Sequence, residues 1–102
     1  MRIISKRKIR EYYKQNAQAE LPLTEWYFKM LNSNAHNINE LRKVFNSVDS
    51  VYDYTIFNIG GNNYRLITAV HYNMQICYIR EIWTHSEYSK HLNQEKLKRG
   101  KL

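Results

Sequence analysis

Three side chains in the second half of the chain have the chemistry to act on a phosphodiester: Arg65, His85 and Tyr88. RNA cleavage through the 2′-hydroxyl needs one group to take the 2′-OH proton, another to protonate the leaving 5′-oxygen, and fixed cations for the charge on the phosphoryl oxygens. Histidine titrates near neutral pH, and arginine is a permanent cation that can bind phosphate through two N–H groups. Tyr88, one helical turn beyond His85, could orient or protonate an oxygen or stack on a base. The residue types therefore fit metal-free RNA cleavage.

The same residues also have a purely structural interpretation. His85 could cap a helix that follows a strand, and Arg65 could form an ordinary ion pair with Glu81. Spacing does not separate the two interpretations, because the register between neighbouring strands is not fixed by the sequence.

Other common chemistries find no support in the sequence. There is a single cysteine, Cys77, and His71 and His85 are far apart with no carboxylate cluster, so we expect no metal site. Gly60-Gly61 is typical of a hairpin turn and not of a phosphate-binding loop, so we expect no nucleotide cofactor. Cys77 lies within a strand pattern and is interpreted as a buried structural thiol in a reducing compartment.

The charge of the chain favours a polyanionic partner. Sixteen Lys and Arg residues stand against nine Asp and Glu residues, which gives a net charge of +7 and a pI near 9.6. A solvated basic surface without a specific partner is the alternative. The residues we predict to contact RNA or the ribosome are Lys6, Arg7, Lys8, Arg10, Asn58 and Arg80.

Length and hydropathy bound the organisation of the chain. With 102 residues we expect one domain, 1–102, with a basic tail from about residue 93 that is frayed. No apolar run approaches the roughly 20 residues of a membrane span, and the first residues are too short for a signal peptide. The expectation is a cytoplasmic protein with no membrane partner.

The candidate residues should be positioned by three consecutive strands. Apolar runs at 54–59, 64–71 and 75–84 are rich in β-branched and aromatic residues and are separated by Gly/Asn turn signals, which predicts an antiparallel meander. Arg65 lies in the second run, and His85 and Tyr88 follow the third. Residues 47–50 are predicted to form only a turn before the meander.

Helices should precede and follow the meander. A strand at 2–4, a basic helix from Lys6 to about residue 16 and a helix opened by Pro22 are predicted first. A capping-box pattern at Asn37 starts a third, short helix, and another at Thr84 starts a last helix at about 86–91. The fold class is thus α+β, a small, mainly antiparallel sheet with two to three helices on one face and a short C-terminal helix, leaving the other face or rim available.

Two sequence strings carry a family resemblance. Phe57-Asn58-Ile59-Gly60-Gly61-Asn62 and Ile79-Arg80-Glu81-x-x-Thr84-His85-x-x-Tyr88, within a match from Met1 to about His91, resemble the HigB toxins of bacterial type II toxin–antitoxin systems, part of the wider RelE/ParE-like group. The resemblance implies a RelE/ParE-like fold and a ribosome-associated mRNA interferase, an endoribonuclease that inhibits translation. It also implies a separate neutralising antitoxin, expected to be a HigA-like helix-turn-helix protein.

The resemblance also implies roles for individual residues. Arg65 matches the sheet arginine that RelE-like enzymes place at the scissile phosphate, His85 falls where RelE has a second arginine, and Tyr88 matches the C-terminal tyrosine. The lysines that RelE carries on the strand before the hairpin are replaced by Ile56 and Asn58. His85 is therefore implied as the acid or base, and which group is the general base stays open.

Two other functions remain open at this point. A non-catalytic module would bind RNA or the ribosome through its basic ends and would not depend on His85. A ParE-like gyrase inhibitor would depend on a helix surface, because RelE-like folds also include gyrase poisons without ribonuclease activity.

Overall fold

The structure, a computed structural model, describes residues 1–102 and consists of one five-stranded sheet with helices on both of its faces. In chain order the elements are β1 (Arg2–Ile4), α1 (Lys6–Gln15), a 3₁₀ turn (Ala17–Ala19), α2 (Glu20–Leu31), α3 (Ile38–Leu41), β2 (Asp49–Val51), β3 (Tyr54–Ile59), β4 (Tyr64–His71), β5 (Ile76–Thr84), α4 (His85–Ser89) and α5 (His91–Lys98). No helix is long and apolar enough to cross a membrane.

The predicted meander is confirmed and forms the centre of the sheet. Strands β3, β4 and β5 pair antiparallel in sequence order. Gly60 and Gly61 adopt φ values of 62° and 69° in the turn between β3 and β4, a conformation that glycine reaches without steric cost. The α+β class and the mainly antiparallel sheet predicted from the sequence are therefore correct.

The two outer strands complete the sheet in the order β1-β5-β4-β3-β2. Strand β1 pairs parallel with β5, and β2 pairs antiparallel with the start of β3. The prediction of only a turn at 47–50 is wrong, because Asp49 and Ser50 belong to β2. This strand has three residues, of which Asp49 and Ser50 are polar, so its ladder with β3 and not its own sequence pattern makes it a strand.

Helices α1 and α2 cover one face of the sheet and form the main core with it. The side chains that the two helices bury against the sheet are Ile9 of α1 and Leu23, Trp26 and Met30 of α2. The Trp26 ring meets Phe57 of β3 edge-on at a centroid distance of 5.2 Å. Cys77 of β5 is also fully buried here, and burial raises the pKa of its thiol from 9.0 to about 12, as expected for an inert structural cysteine.

Both predicted helix caps are present. Asn37 Oδ1 accepts a hydrogen bond from the Glu40 backbone N–H at 2.9 Å at the start of α3. At the start of α4 the capping box is complete: Thr84 Oγ1 accepts from the Glu87 backbone N–H at 3.1 Å, and the Glu87 carboxylate accepts from the Thr84 N–H at 2.8 Å. The end of the sheet is thus joined firmly to the helix that carries His85.

The basic tail is helical, which corrects the expectation of a frayed end from about residue 93. Helix α5 runs to Lys98, and Leu97 is fully buried on the second face of the sheet. Its neighbours there are Tyr54, Ile56, Ile67 and Trp83. This face is therefore covered by α5 and is not free, because the burial of Leu97 against apolar sheet residues stabilises the docked helix.

Candidate active site

The register between β4 and β5 places the predicted catalytic residues side by side. Arg65 lies opposite Trp83, and Tyr64 lies opposite Thr84, so the residue that follows the strand, His85, comes next to Arg65. Arg65 Nη2 is 3.4 Å from His85 Nδ1, and the guanidinium carbon lies 5.6 Å from the centroid of the Tyr88 ring. The three side chains therefore meet at the rim of the sheet.

Arg65 is held almost entirely inside the protein, with 8% of its surface exposed. Nη1 donates to the carbonyl oxygens of Asn62 and Tyr64 at 3.3 and 3.2 Å, and Nη2 donates to Asn62 Oδ1 at 2.6 Å. None of these partners is a carboxylate, and Arg65 takes part in no ion pair, so the proposed pairing with Glu81 is wrong. A buried cation without an acidic partner is suited to receive an anion.

His85 is exposed and is the first residue of α4. It is not the cap of that helix, because the cap is Thr84. A guanidinium can only donate hydrogen bonds, so the nitrogen that faces Arg65, Nδ1, must offer its lone pair. This contact corresponds to the tautomer that carries its ring proton on Nε2.

The ring of Tyr88 contacts both Arg65 and Trp83. The ring is half-buried, and its centroid lies 6.4 Å from that of Trp83 at an interplanar angle of 45°. The guanidinium over the ring is in the range of a cation–π contact. Tyr88 thus supports Arg65 from the helix side.

Asn58 and Arg80, two of the predicted RNA-binding residues, lie in different places. Asn58 is opposite Arg65 in the β3–β4 ladder and so belongs to the same rim. The β4–β5 pairing steps from Glu81 to Ile79, which leaves Arg80 as the extra residue of a β-bulge. Its carbonyl accepts a hydrogen bond from Lys8 Nζ at 2.8 Å, and its guanidinium lies 5.0 Å from the centroid of the Tyr78 ring, so neither recorded contact joins it to Arg65, His85 or Tyr88.

The four predicted binding cations on α1 are all exposed but differ in their contacts. Arg7 forms an ion pair with Glu11 at 2.8 Å, and the Lys6 ammonium lies 4.6 Å from the centroid of the Tyr27 ring. Lys8 is bound to the Arg80 carbonyl, whereas Arg10 has no ion-pair partner. Their charges are therefore not equally available to a polyanion.

Sequence reasoning missed two residues of the site, Asn62 and Trp83. Asn62 is the last residue of the Phe57–Asn62 string, which gives no sign that its side chain contacts Arg65 directly. Trp83 was one of several aromatic residues in β5, and only the register identifies it as the neighbour of Arg65 and Tyr88. The signal available for Asn62 was its position three residues before Arg65 in a tight turn.

The site is an open surface and not a pocket. None of the four concavities on the molecule is lined by Arg65, His85 or Tyr88. No group of three His, Cys, Asp or Glu side chains is placed to hold a metal ion. The arrangement offers a fixed cation, a neutral N–H donor and an aromatic ring on an accessible rim, a set that suits an extended polyanion with bases.

Comparisons with known proteins identify the family of the chain. A family model for the HigB toxin, described as the RelE-like toxic component of a toxin–antitoxin system, matches residues 19–91, which contain all three candidate residues. The mRNA interferase toxin HigB of Escherichia coli (strain K12) is 38% identical over 69 residues, which cover 65% of this chain and 60% of that protein. The proteins named mRNA interferase HigB in Escherichia coli O157:H7 and Shigella flexneri give the same values. The chain matches about 60% of the length of these relatives, and it belongs to the HigB family of RelE-like toxins.

Proposed function

We propose that this protein is the toxin of a type II toxin–antitoxin pair and that it cleaves messenger RNA on the ribosome by a metal-free transesterification. The observation that carries the proposal is the meeting of Arg65, His85 and Tyr88 on an open rim, with Arg65 free of any acidic partner. The names of the relatives, which include the words mRNA interferase, support the same activity.

The reaction would proceed by attack of the substrate on itself. The 2′-oxygen bonds to phosphorus while the bond from phosphorus to the 5′-oxygen breaks, so the products are a 2′,3′-cyclic phosphate and a 5′-hydroxyl. The 2′-OH loses its proton to a base, and the 5′-oxygen gains one from an acid. Arg65 supplies the fixed positive charge for the phosphoryl oxygens, where a preorganised donor is most effective.

His85 is assigned to the leaving 5′-oxygen. Nε2 already carries a proton in the arrangement with Arg65, so this nitrogen is a donor and not a base. Protonation of Nδ1 and the contact with Arg65 exclude each other, because both need the same lone pair. A phosphate that draws the guanidinium toward itself frees Nδ1, and the imidazolium that then forms can give its Nε2 proton to the leaving oxygen.

Binding would rest on the surfaces around this rim. Tyr88 can stack on a base beside the scissile phosphate, and Asn58 lies next to Arg65 in the sheet. The exposed cations of α1 add a sequence-independent attraction to RNA or ribosomal RNA. A substrate on the ribosome would imply that the protein acts in the cytoplasm.

The second partner would be an antitoxin that neutralises the toxin. Membership of a family of toxic components of toxin–antitoxin systems supports this partner. We assign it to a HigA-like protein with a helix-turn-helix domain.

The decisive experiment uses ribosomes programmed with one defined message. Wild-type protein should produce fragments that end in a 2′,3′-cyclic phosphate and begin with a 5′-hydroxyl, detected by end mapping with and without phosphatase. The matched control is the same message with a single 2′-deoxynucleotide at the scissile position, which has no nucleophile and should stay intact. The cut should vanish only at that position.

The alternatives give different results in the same assay. A non-catalytic binding module would block translation without new RNA ends, and a gyrase inhibitor would leave both message and translation unchanged. Cleavage of the 2′-deoxy message at the modified position would contradict the transesterification.

A further inference from the structure

The turn between β3 and β4 holds two members of the catalytic trio at once. Asn62 binds the Arg65 guanidinium through both its main-chain carbonyl and its side-chain oxygen, at 3.3 and 2.6 Å. The next residue, Asn63, accepts a hydrogen bond from the His85 backbone N–H at 2.9 Å through its own carbonyl. One short turn therefore determines the positions of Arg65 and of the first residue of α4.

The hydrogen bonds of Arg65 show how tightly its orientation is determined. A guanidinium has five N–H donors, of which four belong to Nη1 and Nη2. The two Nη1 contacts go to the carbonyls of Asn62 and Tyr64, and the two Nη2 contacts go to Asn62 Oδ1 and His85 Nδ1. Only Nε–H is left without a protein partner. Asn62 thus accounts for two of the four contacts, including the shortest.

The Asn62 side chain is the one part of this arrangement that the fold itself does not require. The carbonyls of Asn62 and Tyr64 belong to the main chain of the turn, whereas the amide of Asn62 lies on an exposed residue and reaches inward to Nη2. Because arginine only donates, the contacting atom must be the amide oxygen. The hydrogen bond between the Asn62 amide oxygen and the charged guanidinium restrains the plane of the guanidinium.

We propose that Asn62 is a positioning residue of the active site. Before the substrate binds, its side-chain oxygen fixes the plane of the Arg65 guanidinium, so that Nε–H remains open to the phosphate of the substrate. This inference rests on the proposed function, since it concerns how that same site is aligned. Asn62 acts through Arg65 and does not itself touch the reacting atoms.

Two substitutions separate alignment from charge. Asn62→Ala removes the oxygen and lets the guanidinium turn, so single-turnover cleavage should fall on the order of tenfold, in line with the cost of small misplacements in active sites. Asn62→Asp keeps an oxygen at the same place but adds a negative charge. The carboxylate should keep the guanidinium oriented and should weaken the attraction of Arg65 for the phosphate. We expect the single-turnover cleavage rate of Asn62→Asp to fall at least as far as that of Asn62→Ala.

A matched control lies next to Asn62. Asn63→Ala removes an exposed amide from the same turn but retains the carbonyl that binds His85, and the Asn63 side chain makes no hydrogen bond. We therefore expect Asn63→Ala to cleave at the wild-type rate. Thermal unfolding of all variants shows that each is folded at the assay temperature.

The second measurement is a nitrogen-15 spectrum of the arginine side chains, in which Arg65 is assigned from the Arg65→Lys variant. Restrained rotation about the Nε–Cζ bond keeps the Nη1 and Nη2 signals of Arg65 apart in the wild type. Asn62→Ala should broaden or merge them, whereas Asn62→Asp should keep them apart although it cleaves slowly.

The outcomes distinguish this inference from the proposed function. If wild-type protein produces no cleavage, the proposed function fails and the nitrogen-15 spectra alone still test the restraint on Arg65. If wild-type protein cleaves and Asn62→Ala cleaves equally fast with unchanged Arg65 signals, Asn62 has no positioning role. Equal losses of cleavage rate in Asn62→Ala and Asn63→Ala would likewise overturn the inference, because the effect would then belong to the turn as a whole.

Discussion

At the scale of single residues, Arg65 and His85 differ in what a substitution can reveal. Arg65 is buried and donates to the carbonyls of the β3–β4 turn, so replacing it with alanine removes structural hydrogen bonds together with the charge. His85 is exposed, is not the helix cap and touches the site only through Nδ1. His85 is therefore the cleaner probe of chemistry.

Replacing His85 by alanine or glutamine should lower single-turnover cleavage of ribosome-bound message about 100-fold, because the leaving oxygen loses its proton donor. The free energy of unfolding should change by no more than about 0.5 kcal/mol, as is usual for exposed side chains. Cleavage rates and urea unfolding curves measure the two quantities.

The control for this prediction is His91→Ala, which removes another exposed histidine at the start of α5. It should leave cleavage unchanged. Wild-type rates in both His85 variants would remove His85 from the catalytic groups.

At the scale of elements, α5 stabilises the sheet face that bears Arg65. Leu97 packs against Trp83, and Trp83 is the cross-strand neighbour of Arg65 and contacts Tyr88. The helix thus supports the site through these apolar contacts and through hydrogen bonds that Asn93 and Gln94 donate to the carbonyls of Glu87 and Tyr88.

Two leucines of α5 form a matched pair for testing this support. Leu97→Ala should lower the free energy of unfolding by about 2–5 kcal/mol, because a fully buried leucine leaves a cavity. Leu92→Ala should change it by about 0.5 kcal/mol or less, since Leu92 is 69% exposed. Equal effects in urea unfolding would mean that α5 is not docked on the sheet.

At the scale of the whole molecule, the net charge of +7 favours association with polyanions, but the individual cations do not contribute equally. On α1, Glu11 offsets the charge of Arg7, while Arg10 is exposed without an acidic partner. The two arginines lie on the same helix and differ mainly in this respect.

Ribosome binding should weaken with salt, because each cation–phosphate contact releases counterions. Arg10→Ala should reduce the slope of log affinity against log salt by about 1, and Arg7→Ala should reduce it by less. Binding measured at several salt concentrations gives these slopes. A larger effect of Arg7→Ala would place the contact surface on another face of α1.

Local patterns in the sequence determined most of the secondary structure. The meander follows from its β-branched runs and its Gly60-Gly61 turn, and both capped helices follow from short-range patterns at Asn37 and Thr84. Such features depend on neighbours within a few residues, so they can be predicted without the fold. The family resemblance likewise rested on short strings, and the match over residues 19–91 confirms it.

Only the tertiary structure decided how the site is assembled. The pairing of Arg65 with Trp83 brings His85 to the guanidinium, and a slip of one residue would turn these side chains to the opposite face. The bulge at Arg80, the docking of Leu97 and the reach of Asn62 to Arg65 also arise from contacts between distant segments. Residue types alone determined which chemistry was possible. Long-range packing decided which residues meet to perform it, because the strand register is set by the burial of whole sheet faces and not by any local pattern.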